Sequence, residues 1–221
     1  MPARPKIPDL AAALGELPLF PLRAVVLFPG VLLPLHVFEP RYVRMVGHAL
    51  ATHRCLSVVY VPDANADLAG NPPIARVAGA GVIIEHMELP GGRFDILVSG
   101  RARVELEELD FVPPFRRARA RLLVCPPVEV PELEVTALRA AADAFVAIVR
   151  ERDPAYRPRL PADATAGTFA DACAHTLVID GADRQSLLET LDDRERVRRV
   201  TEILTVQRAT LRRRPAGGML N

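Results

Sequence analysis

Between Leu17 and Met45 the chain is mostly apolar, yet Pro18, Pro21, Pro29, Pro34 and Pro40 break it at short intervals. A proline fixes φ and removes a backbone donor, so neither a long helix nor a membrane span can run through this stretch. The pattern predicts short strands over residues 24–28 and 31–38, a turn at Pro29-Gly30, and an edge or bulge at Pro34. Glu39-Pro40 predicts a helix start, with proline at the first helical position. That helix runs to about His53 and lines Tyr42, Met45, Val46, Ala49 and Leu50 along one face. Residues 55–61 are rich in β-branched side chains and predict a buried strand, and 62–73 is a loop by composition. From Ile74 a β-meander follows, reversing at the Pro90–Arg93 turn. Gly79, Gly81 and Gly100 predict tight curvature or close backbone approach. Val104 and Leu106 alternate with charged residues, and the next alternating run puts Arg117, Arg119 and Arg121 on one face.

The periodicity then changes. Residues 126–131 carry three prolines and join the β-rich part to a part with helical spacing. Helices are predicted over about 132–152 and 165–177, followed by a short one through Leu187 and Leu188. Asp192 with Glu195 approximates a capping box and opens a long helix on Val197, Val200, Ile203, Leu204 and Leu211. The expected division is a leader over 1–16, with one helical turn around Leu10 to Leu14, a β-rich subdomain over 17–125, a helical subdomain over 132–214, and a tail over 215–221.

Composition narrows the chemistry. Half of the 221 residues are hydrophobic and a quarter charged, ordinary for a globular protein with a core. A formal net charge of +1 argues neither for nor against nucleic acid. Lys6 is the only lysine, so lysine-based catalysis would have to use a residue in the leader. Cys55, Cys125 and Cys173 are far apart and form no CxxC pair, which speaks against a disulfide framework or zinc site and fits the cytoplasm. Neither a secretory leader nor a spanning segment is expected.

The opening run LPLFPL…LFPG…LPLHVFEPRY resembles the start of the Lon protease N-terminal, substrate-binding domain. GAGVIIEHMELPGGRFDILVSGRARVEL is similar to that family's second block, with Gly92-Arg93 and Gly100 with Arg103 in the expected places. The helical half is similar too, so the resemblance covers roughly residues 17–208. It implies an α+β protein: a PUA-like β-pseudo-barrel with one inserted helix, followed by a small helical bundle. It also implies non-catalytic recognition of unfolded or extended polypeptide, as an adaptor in protein quality control related to ATP-dependent proteolysis. An apolar groove would serve, with Phe20, Leu22, Leu33, Phe38, Tyr42 and Phe115 as candidate contributors.

Other chemistry finds less support. There is no G-x-x-x-x-G-K-[ST] phosphate loop, and the lone lysine allows no Ser-Lys dyad inside the fold, so neither ATPase nor protease activity is expected. His48 and His53 lie five apart, a poor helical spacing for a metal pair, and read as two surface histidines. No metal and no cofactor is expected. The arginine stripe Arg117, Arg119 and Arg121, joined by Arg101 and Arg103, is the best nucleic-acid feature and supports an alternative RNA-binding reading. Against it, Glu105, Glu107 and Glu108 belong to the expected neighbouring strand, where cross-strand pairs would neutralise it. Arg194, Arg196, Arg198 and Arg199, interleaved with acids, read as a solvated helix face. A small-molecule-binding adaptor is the other rival, and weak self-association would compensate for a single weak site.

Overall fold

The computed structural model describes residues 10–68 and 71–213, so most of the expected leader and the 215–221 tail lie outside the described residues. The chain divides into two compact units, Met1–Val124 and Cys125–Asn221. Among the described residues the first holds a 3-10 turn (Leu10–Ala13), six strands and one helix: β1 (Leu17–Leu22), β2 (Leu32–Val37), α1 (Pro40–Ala51), β3 (Cys55–Tyr60), β4 (Val77–Leu89), β5 (Arg93–Glu108) and β6 (Arg117–Leu123).

The first strand is not where the proline spacing put it. LPLFPL itself is β1, whereas residues 24–28 form no strand. Two facts explain why the prolines are tolerated. Leu17 and Leu19 bury on one face of β1 and Phe20 on the other, so the strand is fixed by packing on both sides. The Leu19 N–H donates to the Arg116 carbonyl at 2.9 Å, so by alternation Pro21 also turns its backbone toward β6, whose pairing has already ended at Pro18. Its missing donor therefore interrupts no pair of the β1–β6 ladder. Parallel pairing with β3 then runs from Leu19↔Ser57 to Leu22↔Tyr60.

The sheet order is β2-β5-β4-β3-β1-β6, with β5 also pairing β6. β5 is long enough to take β2 along Phe94–Ser99 and β6 along Arg103–Glu108. The sheet therefore curls back on itself without forming a clean barrel, since β1 meets β6 over only Leu17↔Ala118 and Pro18↔Arg117. Register shifts at Ala80/Gly81 and Ile83/Glu85 bend the β4–β5 hairpin. One core cluster, including Leu27, Tyr42, Met45, Val46, Leu56 and Val98, includes residues of α1 and of the sheet. The other, including Leu17, Leu19, Val59, Ala80, Val82 and Val104, lies on the opposite strand faces.

Residues 24–31 do something other than pair as a strand. They lay their backbone against the sheet: a Cβ on Gly79 would sit 1.8 Å from the Leu27 carbonyl oxygen, and one on Gly100 would sit 2.0 Å from that of Phe28. The Gly30 N–H donates to the Gly100 carbonyl at 3.0 Å, and the Gly100 N–H donates to Val31 at 2.8 Å. Leu27 and Phe28 are thereby fully buried.

The second unit is helical: α2 (Glu132–Arg152), α3 (Ala166–Leu177), α4 (Gly181–Glu189) and α5 (Asp193–Arg213). Thr165 and Asp180 cap α3 and α4 with their side-chain oxygens, and Asp192 accepts from the Glu195 N–H at 2.9 Å. The arginines of α5 are not one solvated face. Arg196 is 1% exposed, with Nε 2.8 Å from Asp171 and further bonds to Asp193 and the Thr190 carbonyl. Arg199 reaches Ser186 and Thr190, and Arg194 pairs with Glu134 at 2.7 Å. Gly167 makes room for this group, because a Cβ there would meet an Asp193 carboxylate oxygen at 2.2 Å. Sequence alternation cannot reveal such pairing, since Asp171, Ser186 and Glu134 come from other helices.

Gly100→Ala is expected to lower stability by at least about 2–3 kcal/mol, since carbonyl backbone must move to admit the methyl. Gly47→Ala, inside α1 with nothing within 4 Å of the new Cβ, should instead stabilise by about 1 kcal/mol. Urea unfolding of both variants checks the pair; a neutral Gly100→Ala would contradict the close approach.

Candidate functional site

Of the six apolar side chains picked from sequence, Phe20, Leu33, Tyr42 and Phe115 are buried, and Leu22 is half-buried against the same cluster. They form core because α1 packs on the sheet there, with the Phe20 and Tyr42 rings 4.4 Å apart. In this conformation they offer no open groove. Phe38 is the exception, at 62% exposed.

Phe38 does not stand alone. Along β2, Leu33 and Val37 turn inward, whereas Leu32, Pro34 and His36 turn out. The register carries that outward face across the sheet: Pro34 opposes Leu97 and His36 opposes Asp95 on β5, and these oppose Glu85 and Met87 on β4. Phe38 continues it, its ring stacked 5.9 Å from that of His36. Met87 is 57% and Leu32 49% exposed. The result is an apolar outer face of Leu32, Pro34, Phe38, Leu97 and Met87, divided by a His36–Asp95 pair at 2.6 Å. Sequence reasoning found Phe38 but not Met87 or Leu97, whose side depends on the register shift at Ile83/Glu85.

β2 is also the outermost strand of the sheet. The Gly100-to-Val31 hydrogen bond directs the backbone of Val31, and by alternation Leu33, Leu35 and Val37, toward β5. Pro34 therefore turns to the open side, where it has no donor to offer an incoming strand.

The arginine stripe is matched as the strand register dictates. Arg121 pairs with Glu105, Arg119 with Glu107 at 3.0 Å, and Arg117 with Glu16 at 3.0 Å. Glu105 is held below the usual carboxylate range by its hydrogen bond from Arg121. Arg103 does not join the stripe. It is buried, with its guanidinium 5.9 Å from the centre of the Phe28 ring.

The model of the ATP-dependent protease La (LON) substrate-binding domain matches residues 16–206, most of the chain. The chain belongs to this family. The Lon protease of Roseiflexus castenholzii is 33% identical over 218 residues, covering 94% of this chain and 25% of that protein. The Lon protease of Escherichia coli K12 is 27% identical over 184 residues, covering 82% of this chain and 24% of that protein. The chain thus spans about a quarter of the length of these curated relatives. Among solved structures, the N-terminal domain of Mycobacterium avium complex Lon protease superposes with a TM-score of 0.62 at 16% identity, covering 86% of this chain and 98% of that one. A Lon N-terminal domain protein from Xanthomonas campestris gives 0.60 at 22% identity, covering 85% and 97%. These two likenesses concern the fold.

The matched part of Lon is its substrate-binding domain, not a catalytic one. Among the described residues of this Lon-type chain, no group of three His, Cys, Asp or Glu side chains is placed to hold a metal, and no helix is long and apolar enough to cross a membrane. The Cys173 thiol is pushed up to about 12 by burial. His48 and His53 are half-buried rather than free on the surface, with rings 6.2 Å apart and His48 also 5.5 Å from Phe115.

Burial, aided by the neighbouring His48, lowers the His53 pKa from 6.5, and His53 Nδ1 accepts the Cys55 N–H at 3.0 Å. The unfolded chain then takes up a proton that the folded chain resists. Stability is full above about pH 7 and falls as the pH drops through 6.5 and below. Unfolding midpoints between pH 7.5 and 5.5 should show this decline, and His53→Gln should flatten it. An unchanged pH slope in the variant would contradict the assignment.

Proposed function

We propose that this Lon-type chain holds apolar stretches of unfolded or extended polypeptide against the outer face of β2, β5 and β4, binding without cleaving. The observation that carries the reading is the exposure of Phe38, Met87 and Leu32 on one continuous face of a substrate-binding-domain fold. Such a surface recognises side chains rather than sequence. Pro34 at the open edge disfavours simple strand addition, so aliphatic and aromatic contact supplies the attraction. The His36–Asp95 pair at its centre gives the backbone of a bound chain a polar neighbour.

A face of about 400 Å² contributes on the order of 10 kcal/mol at ~25 cal/mol per Å². Association and ordering of a flexible chain cost roughly 4–15 kcal/mol or more. The surplus is at most about 6 kcal/mol, so the Kd is about 40 μM at its tightest and extends into the millimolar range, suited to sampling many partners. We place this activity in the cytoplasm, as an adaptor for protein quality control, with self-association raising the number of contacts.

The test is titration of a labelled, permanently unfolded polypeptide with the intact chain and with the Phe38→Ser, Met87→Ser double variant. The variant should bind about tenfold more weakly with an unchanged melting temperature, since both side chains are exposed. Binding should persist in high salt. Equal affinity in the variant would overturn this surface, and salt-sensitive binding of RNA in place of polypeptide would favour the arginine-bearing strand instead.

A further inference from the structure

A second site lies away from the outer face. Leu19, Pro21, Arg41, Tyr42, Phe115 and Arg116 line a cavity of about 150 Å³, with Phe111 at its rim exposed to solvent. Its size suits a group no larger than one amino-acid residue. The walls are largely apolar, and donors predominate among their polar side chains: Arg41, Arg116, the Tyr42 hydroxyl and the Asn71 amide, of which the last also carries an acceptor oxygen. Tyr42 is 4% exposed, and its hydroxyl has no hydrogen-bond partner among the described residues. Buried hydroxyls without partners are uncommon and costly, which makes this one a marker rather than a detail.

The two guanidinium groups are rigidly held. Arg116 is gripped by Glu108 through two bonds of 2.6 Å and donates to the Pro72 carbonyl at 2.7 Å. Arg41 lies 4.4 Å above the Tyr42 ring, bonded to Glu39 at 2.8 Å and to the Leu68 carbonyl at 2.6 Å. In each pair the carboxylate is the more exposed partner, 38% against 8% for Glu108 and Arg116 and 41% against 21% for Glu39 and Arg41. Water screens the outer negative charges more than the inner positive ones, so the cavity wall is effectively positive. Burial raises the Tyr42 pKa, opposed by Arg41 and Arg116 and aided by Glu39. A neutral phenol that donates, flanked by fixed guanidiniums, is suited to an acceptor that carries charge.

The geometry points to a binding site for a carboxylate carried on a small apolar body, with the Tyr42 hydroxyl and the Arg41 and Arg116 guanidiniums as donors and Leu19, Pro21 and Phe115 as the apolar wall. Two sources share this chemistry: a free small acid, and the terminal residue of a polypeptide with an apolar side chain. Tyr42, Phe115 and their surroundings thus have a role that the burial of their rings does not exhaust. The site stands independently of the outer face, and neither needs the other.

Calorimetric titration of the intact chain with N-acetyl-leucine and with N-acetyl-leucinamide tests it. The acid should bind with a Kd in the range of about 0.1–10 mM and the amide at least about tenfold more weakly. Tyr42→Phe keeps the ring, removes the unpartnered hydroxyl, and should leave the melting temperature unchanged or raised while weakening the acid about tenfold. Hexapeptides ending in leucine, with a free or an amidated terminus, separate the sources. Tighter binding of the free-terminus peptide than of N-acetyl-leucine assigns the site to chain termini, and binding of the small acid alone assigns it to metabolite-sized ligands. Equal binding of acid and amide, unchanged affinity in Tyr42→Phe, or no heat from any probe at about 50 mM would overturn the proposal.

Discussion

The sheet-bearing unit depends on one close approach. The backbone of Leu27 and Phe28 runs directly over Gly79 and Gly100, at distances that no side chain on those residues would permit, and the Leu27 side chain packs on Gly81. That contact buries Leu27 and Phe28. It holds the segment between β1 and β2 against the strands, through the paired bonds of Gly30 and Val31 with Gly100. β2 is thereby aligned on the first half of β5, and Pro40 starts α1 just after it. Both sites described here follow from that alignment. The outer face exists because β2 joins β5 in this register, and the cavity exists because α1 begins where Arg41 and Tyr42 can reach β1 and Phe115.

Much of this was legible in sequence, for physical reasons that can be named. The helices of the second unit show apolar spacing and side-chain caps, both local properties, and α2 spans 132–152 as its periodicity implies. The pairing of Glu105 and Glu107 with Arg121 and Arg119 follows from alternation on adjacent strands. The glycines in the meander announced a close approach without saying to what. LPLFPL as a strand was not legible, because the tolerance of Pro21 depends on where β6 ends, a fact of tertiary register. The candidate site was legible only in part, for a related reason. Apolar residues in one stretch divide between core and surface according to which face packs, so Phe38 is exposed while Tyr42, four residues on, is buried. Met87 and Leu97 share a face with Phe38 only through two strand pairings and a bulge. Arg196 looked like its exposed neighbours until distant Asp171 supplied its partner.

The two sites differ in the forces they use. The outer face is broad and shallow, so its contribution is apolar area, tolerant of sequence and weak for each contact. The cavity is small, fixed and donor-rich, which favours a defined chemical group over a class of chains. A chain that meets unfolded polypeptide on one surface and a carboxylate in another can combine tolerance with a discriminating contact.

Site-specific photo-crosslinking tests the central claim, that polypeptide is held on the outer face, most directly. A photoreactive phenylalanine analogue replaces Phe38, Met87, Leu122 or Ile179 in turn, all of them solvent-exposed. After irradiation with an unfolded polypeptide, adducts should concentrate at Phe38 and Met87. Equal yields at all four positions, or a maximum at Leu122 or Ile179, would contradict the account.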